Sequence, residues 1–218
     1  MITARDIEIF KFINRYGKSY IEVLAKTFFA NEQVARNRIN SLAKQELISY
    51  KNTGLMKPRR AIVLTSDAKE YLQNEFELVP KNAKINRTTI AHNVIEQIAD
   101  YHLSQIGTVE RTTVATHSQK LHHIPDFIFT NNNGKRINIE IELTKKSTPR
   151  YNEIMQAVKK DNVDAIIYIL LTSDKIKSFA QSLPKWQKLF FISIDELIKN
   201  IAQIGQIKPY AQDASLFD

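Results

Sequence analysis

Residues 124–145 carry the pattern that most constrains the fold of this chain. Two segments rich in Ile and Phe flank the pair Asn133-Gly134, and Asn-Gly pairs accept the positive φ angles that a tight β-hairpin turn needs. Apolar and polar residues alternate along the second segment. Because successive side chains on a strand point to opposite faces, Glu140 and Glu142 are predicted to share one face of this hairpin.

A third carboxylate, Asp126, lies on the partner strand of the same predicted hairpin, so three carboxylates are expected to converge. Carboxylates that lie so near to one another repel each other unless a cation compensates their charge. Mg²⁺ is commonly held by a few carboxylates and a substrate phosphate, and it can activate water and stabilise charge on a transferring phosphate. We therefore predict a Mg²⁺ or Mn²⁺ site at Asp126, Glu140 and Glu142. A solvated hairpin face is the alternative.

The composition favours a folded protein with a polyanionic partner. The chain of 218 residues is long enough for one large domain or two small ones, each with its own core. Its formal net charge is +8, which makes nucleic acid the first candidate partner. The absence of cysteine excludes disulfides, thiol catalysis and cysteine-based zinc sites. Without an apolar signal segment or a membrane-spanning run, a cytoplasmic protein with no membrane contact is expected.

Three helices followed by a hairpin are predicted for residues 1–75. Ser19 is expected to cap the second helix and Asn31 the third. The third helix is predicted from Glu32 to about Gln45, with Val34 among its inward-facing residues. These elements are predicted to form a small independent domain at the start of the chain.

The polar residues of this N-terminal third suit DNA. Amide and basic groups lie on the outer face of the third helix and on the segment 51–60, which joins two short predicted strands. These groups suit the base edges of a major groove and the backbone phosphates. The predicted DNA-contacting residues are Gln33, Arg36, Asn37, Arg38, Lys44, Lys57, Arg59 and Arg60. This arrangement resembles a winged helix-turn-helix domain, which implies binding to double-stranded DNA. The solvated face of a protein-interaction domain is the alternative.

Residues 76–88 lose clear periodicity and are predicted to be a linker. A second domain is predicted at residues 89–204, with residues 205–218 as a tail. Its predicted order is helix, three strands, helix, strand, helix, strand and helix, which indicates an α/β domain with a mixed sheet, within an overall α+β chain. Its first helix carries His92 and Glu96 four residues apart, hence on one face, as candidates for additional active-site residues.

This second domain resembles the restriction-endonuclease-like, or PD-(D/E)xK, superfamily. That superfamily has an active-site Asp on its second core strand and a Glu-x-Lys on its third. Pro125-Asp126 matches the first half and Glu140 the second, whereas Glu142 stands where Lys is usual. The resemblance implies a metal-dependent site in which Asp126, Glu140 and Glu142 are catalytic residues and metal ligands. Lys145, three residues further on, is the candidate replacement for the lysine.

A more specific resemblance combines the winged helix with the sequence Glu-Ile-Glu-Leu-Thr-Lys-Lys-Ser at residues 140–147 and with Arg150-Tyr151. This combination is similar to the replication-relaxation family and the related Mob-C class of plasmid relaxases. It implies a protein that nicks one DNA strand at an origin of transfer or replication region, in plasmid mobilisation or conjugation, with relaxosome proteins as partners. Lys146 and Arg150 would then contact phosphates. Whether water or a tyrosine such as Tyr151 is the nucleophile stays open.

Two other functions fit the same residues. A DNA-binding replication or transcription regulator with a degenerate nuclease domain would account for the unusual Glu142, and a defence or transposition endonuclease would cut both strands. The tail also carries the segment Gln-Asp-Ala-Ser-Leu-Phe, which looks like the short peptides that dock on the bacterial sliding clamp. A clamp contact through Gln212, Leu216 and Phe217 is therefore a further hypothesis.

Overall fold

The computed structural model describes residues 2–112, 121–161, 163–207 and 209–211. Its architecture is mixed α/β, which confirms the fold class expected from the sequence. The chain divides into two units, residues 1–98 and 99–218. Within the described ranges, no helix has the length and apolar character needed to cross a bilayer.

The first unit consists of helices packed around a two-stranded hairpin. Its elements are α1 (Ala4–Tyr16), α2 (Ile21–Phe28), α3 (Glu32–Lys44), β1 (Ile48–Asn52), β2 (Arg60–Leu64) and α4 (Ser66–Phe76). The two strands pair antiparallel, with Tyr50 opposite Ile62. The apolar stripes of the helices form the core, in which Ile9, Phe10 and Leu24 are fully buried.

Ser19 does not cap α2, contrary to the prediction. The N-cap is Tyr20, which makes no side-chain capping bond. The Ser19 backbone instead exchanges two hydrogen bonds with Ile62 of β2, at 2.9 and 2.8 Å. Ser19 is buried, so its backbone groups have no water to bond and the edge of the hairpin satisfies them.

The prediction that Val34 faces inward is also wrong. Its side chain is 43% exposed, and the neighbouring Ala35 is buried instead. Asn31 caps α3 as predicted, because its side chain accepts the Val34 N–H at 2.9 Å. Ala35, Ile39 and Leu42 then follow the i, i+4, i+7 spacing of one helix face, and Val34 lies one position off that stripe.

A segment without regular structure, residues 77–86, joins α4 to a 3₁₀ turn (Arg87–Thr89) and to α5 (Ile90–Leu103). The Asn14 side chain of α1 donates to the Val79 carbonyl at 3.1 Å and accepts the Lys81 N–H at 3.0 Å. One buried side chain therefore fixes part of this segment on α1. The domain boundary predicted at residues 76–88 stays a prediction.

The second unit contains a six-stranded mixed sheet. In spatial order its strands are β3 (Gly107–Arg111), β4 (Phe127–Asn131), β5 (Arg136–Glu142), β6 (Ala165–Leu170), β7 (Leu189–Ser193) and β8 (Tyr210–Ala211). The pairs β5–β6 and β6–β7 are parallel, and the other neighbours are antiparallel. The connecting helices are α6 (Thr148–Lys160), α7 (Ile176–Ala180), which follows a 3₁₀ turn (Ser173–Lys175), and α8 (Ile194–Ile204).

The central strands of this sheet are buried, and β5 carries polar residues into that buried environment. Glu140 lies beside Tyr168 in the parallel register of β5 and β6, so the two side chains share a face. Tyr168 belongs to an apolar cluster with residues of α6 and α7, among them Met155 and Phe179. The acidic face of β5 is therefore packed under helices rather than left to solvent.

The turn between β4 and β5 is longer than an Asn-Gly hairpin turn. The Gly134 N–H donates to the Asn131 carbonyl at 2.9 Å. Gly134 has a positive φ of +76°, but Asn133 does not, so the pair does not form the predicted two-residue turn. The Asn131 side-chain oxygen accepts the N–H groups of Asn133 and Lys135, both at 3.0 Å. An Asx turn thus closes the hairpin. The threonine-rich residues 109–116 also predict a strand. β3 ends at Arg111, and residues 113–116 lie outside the described residues.

Candidate active site

Asp126 and Glu140 come together where β4 begins beside β5. The Asp126 N–H donates to the Ile139 carbonyl at 3.1 Å, which continues the antiparallel ladder one residue beyond β4. The Ile141 N–H donates to Asp126 Oδ2 at 2.7 Å. These two backbone contacts hold the Asp126 carboxylate against the segment of β5 that carries Glu140.

The surroundings of Glu140 disfavour its charge. Burial raises the pKa of Glu140, a hydrogen bond from His123 acts against that shift, and the Asp126 carboxylate reinforces it. The Glu140 side chain is 13% exposed, and His123 Nε2 lies 2.6 Å from its Oε1. Two neighbouring carboxylates with little water around them are the situation that a divalent cation relieves.

His123 is a site residue to which the sequence analysis assigns no role. Buried Asp161, which directly follows α6, accepts the N–H groups of His122 and His123 at 2.7 and 3.0 Å on its two oxygens. His122 Nδ1 also lies 2.8 Å from Asp161 Oδ1. One carboxylate thereby fixes the backbone from which the His123 ring reaches Glu140. The adjacent histidines shortly before Pro125-Asp126 were the available sequence signal.

Glu142 has a different environment from Glu140. Its side chain is 4% exposed, Oε2 accepts the Tyr151 hydroxyl at 3.2 Å, and the same oxygen forms an ion pair with Lys146. The Tyr151 hydroxyl in turn accepts the Lys146 N–H at 2.8 Å. Lys145, the predicted catalytic lysine, is exposed. The lysine that contacts a carboxylate of the site is Lys146, through its ion pair with Glu142.

Tyr151 is placed as a packing and positioning residue. It is fully buried, and burial raises the pKa of its hydroxyl, so the nucleophilic phenolate is disfavoured. Its ring packs edge-on against Phe179, with centroids 5.6 Å apart. An attacking tyrosine must approach the substrate phosphate, and this burial places Tyr151 beneath the site instead.

Two buried polar side chains on the same face of the sheet lack hydrogen-bond partners among the described residues. They are the Tyr168 hydroxyl and both polar atoms of the Asn138 amide. Burial raises the pKa of Tyr168, and the carboxylates of Glu140 and Glu142 reinforce the shift. Unsatisfied buried groups cost stability, and a role in a functional site is one explanation for keeping them. Sequence reasoning missed Tyr168 because it stands within an apolar run typical of a buried strand.

Two of the three predicted carboxylate ligands, Asp126 and Glu140, are placed to hold a divalent cation. Asp126 and Glu140 supply the oxygen ligands that Mg²⁺ and Mn²⁺ prefer. Over the described ranges, no group of three or more His, Asp or Glu residues is arranged to hold a metal ion. Glu142, the predicted third ligand, is engaged by Lys146 and Tyr151. Two carboxylates suffice for an ion that keeps several waters and takes further oxygens from substrate phosphate.

Arg38 is the predicted DNA-contacting residue whose position differs most from expectation. Its Nε donates to Asp6 Oδ1 at 2.8 Å, and a second guanidinium nitrogen pairs with Oδ2. Asp6 is fully buried and also forms a capping box with Thr3 at the start of α1. Arg38 therefore joins α3 to α1.

The other predicted DNA-contacting residues of the first unit have exposed side chains. They are Gln33, Arg36, Asn37, Lys44, Lys57, Arg59 and Arg60. Arg150 of the second unit is also exposed and pairs with Glu153 at 2.9 Å. His92 and Glu96 lie on the part of α5 that belongs to the first unit, where Glu96 accepts the Asn93 amide at 3.2 Å. Their role in a site stays a prediction.

Comparison with protein-family models, with curated proteins and with solved structures finds no match for this chain.

Proposed function

We propose that this protein is a metal-dependent DNA endonuclease that nicks one strand and acts in plasmid mobilisation or conjugative transfer. The observation that carries the nuclease proposal is the meeting of Asp126 and Glu140 on adjacent strands, beside His123 and near Lys146. Nicking, a cytoplasmic location and relaxosome partners are proposed from the resemblance to plasmid relaxases.

In the proposed site, Asp126 and Glu140 would hold Mg²⁺ or Mn²⁺, which when bound activates water and stabilises charge on a phosphate. His123 orients the Glu140 carboxylate through the contact of 2.6 Å. Lys146 is 40% exposed although it pairs with Glu142, so its ammonium group can also face a phosphate. Glu142 and Tyr151 hold Lys146 in place.

The first unit supplies DNA binding in this proposal. Its exposed arginines, lysines and amides lie on α3 and on the loop between β1 and β2. Basic groups neutralise backbone phosphates, and amides recognise base edges in the major groove. Double-stranded DNA near the cleavage site is the partner that this surface suits.

One set of contacts favours the alternative, a DNA-binding regulator without catalysis. Glu140 is already paired with His123 and Glu142 with Lys146, so both glutamates have partners within the protein. In a domain that has lost its metal site, ion pairs within the protein are expected to take the place of the cation and compensate the carboxylates. Both functions require DNA binding, and they differ in cleavage.

The experiment that tests the proposal is relaxation of supercoiled plasmid carrying the protein's own candidate origin, with Mg²⁺, Mn²⁺ or EDTA. Wild type is compared with Asp126→Asn and Glu140→Gln. Glu153→Gln is the matched control, because it neutralises an exposed carboxylate that pairs with Arg150 on α6. Open circles from wild type and the control only, and only with metal, are expected.

The other products have distinct meanings. Linear DNA would identify an endonuclease that cuts both strands. Specific binding without cleavage in any metal would support the regulator and reject the nuclease. Cleavage that survives both site substitutions would show that Asp126 and Glu140 do not form the active site.

A further inference from the structure

A cavity of about 430 Å³ opens between α2, α3 and the β1–β2 hairpin of the first unit. A volume of this order suits a ligand of the size of one nucleotide. Its walls combine apolar side chains, basic side chains and one carboxylate. Such a combination matches a ligand with a flat apolar ring, an anionic group and hydrogen-bonding edges.

Four cationic side chains line this cavity, namely Arg36 from α3 and Lys57, Arg59 and Arg60 from the hairpin. All four are exposed, so phosphates can reach them from solvent. An anionic ligand such as a nucleic-acid backbone is therefore the occupant that the charge favours.

The cavity also offers flat and apolar surfaces to a base. The Arg60 guanidinium lies over the Tyr50 ring, 5.5 Å from its centroid, and the Tyr50 hydroxyl donates to Asn40 Oδ1 at 2.8 Å. Met56 also lines the cavity, directly before the basic residues of the loop, and is 98% exposed. Aromatic rings and exposed apolar side chains are the groups against which unstacked bases pack.

Glu22 of α2 supplies the carboxylate of this cavity. Its Oε2 is buried and has no hydrogen-bond partner in the part of the chain that the structure describes. An ionised carboxylate accepts hydrogen bonds only, and a buried oxygen without a donor costs free energy. Glu22 lines the cavity and is only half-buried, so a ligand with an N–H group would supply its carboxylate with a donor.

We propose that this cavity binds one unpaired DNA nucleotide and that Glu22 selects a base with an exocyclic amino group, such as cytosine. The proposal rests on the DNA binding proposed for the first unit. Glu22 accepts the amino group, as acidic side chains do from cytosine N4, while the arginines hold the flanking phosphates. The nucleotide is unpaired because a base stacked within a duplex cannot enter the cavity.

The test is fluorescence anisotropy of the full chain in EDTA with labelled single strands of deoxycytidine and of deoxyuridine, equal in length. These bases differ at position 4, where cytosine has an amino group and uracil a carbonyl oxygen, and at N3, which accepts a hydrogen bond in cytosine and donates one in uracil. Wild type is expected to bind the deoxycytidine strand about tenfold more tightly, which corresponds to ~1.4 kcal/mol. Glu22→Gln should bind both strands about equally, because an amide can both accept and donate.

Glu70→Gln is the matched control, because Glu70 is an exposed acid of the same unit outside the cavity. It should keep the preference for deoxycytidine. Equal binding of the two strands by wild type, or loss of the preference in the control, would overturn the proposal. Base preference without plasmid cleavage would reject the nuclease and support this site. Plasmid cleavage without base preference would support the nuclease and reject this nucleotide site.

Discussion

Replacement of Arg38 by methionine is expected to destabilise the first unit by about 2–3 kcal/mol at neutral pH. Asp6 is fully buried and pairs with the Arg38 guanidinium through both carboxylate oxygens. Removal of one partner of a buried ion pair typically costs about 3–5 kcal/mol, because the other charge is left uncompensated. The cost is smaller here because Arg38 is 27% exposed and Thr3 keeps its hydrogen bonds to Asp6.

The destabilisation should depend on pH. Burial raises the pKa of Asp6, but hydrogen bonds from Arg38 and Thr3 outweigh burial and lower the pKa below its ordinary value. A carboxyl group with a lowered folded-state pKa stabilises the fold above its unfolded pKa, about 3.9, and this contribution is lost as pH falls through the folded pKa. The difference between wild type and Arg38→Met should therefore shrink below about pH 4.

Urea unfolding of the full chain, followed by far-ultraviolet circular dichroism at neutral and acidic pH, measures this difference. Arg36→Met on the same helix is the control, because Arg36 forms an exposed pair with Glu32 and should change stability by less than about 0.5 kcal/mol. If Arg38→Met were no less stable than Arg36→Met, or if its deficit persisted in acid, the assignment of Arg38 to the fold would be wrong.

Three further substitutions test the site and the core. Tyr151→Phe should lower the unfolding free energy by about 1 kcal/mol through loss of the bond to Glu142. It should still nick plasmid, more slowly because Lys146 loses a contact, whereas complete loss of nicking in a folded variant would support a tyrosine nucleophile. Asp161→Ala should reduce nicking and leave DNA affinity unchanged, because His123 loses its backbone anchor; unchanged nicking would contradict this. Tyr20→Phe should raise the unfolding free energy in urea by about 1 kcal/mol, because the fully buried hydroxyl has no hydrogen-bond partner among the described residues; a lower value would count against this.

Much of the architecture follows from local sequence. Alternating residues predict β5, an unbroken apolar run predicts β6, and capping residues such as Thr3 and Asn31 mark helix starts that the structure retains. These features depend on backbone geometry and on neighbours within a few residues. The proximity of Asp126 to Glu140 was predictable as well, because a hairpin pairs its own two strands.

The tertiary structure alone decides which side chains meet across distant parts of the chain. Asp161 lies 38 residues after His123 and yet fixes its backbone, and Arg38 lies 32 residues after the Asp6 that engages it. A buried charge must find whichever partner the packing of distant elements brings within reach, and no local pattern encodes that partner. Even near at hand the fold made a choice: the sequence places two glutamates on β5 with Lys145 and Lys146 after them, and only the fold turned Lys146 to Glu142 and left Lys145 exposed.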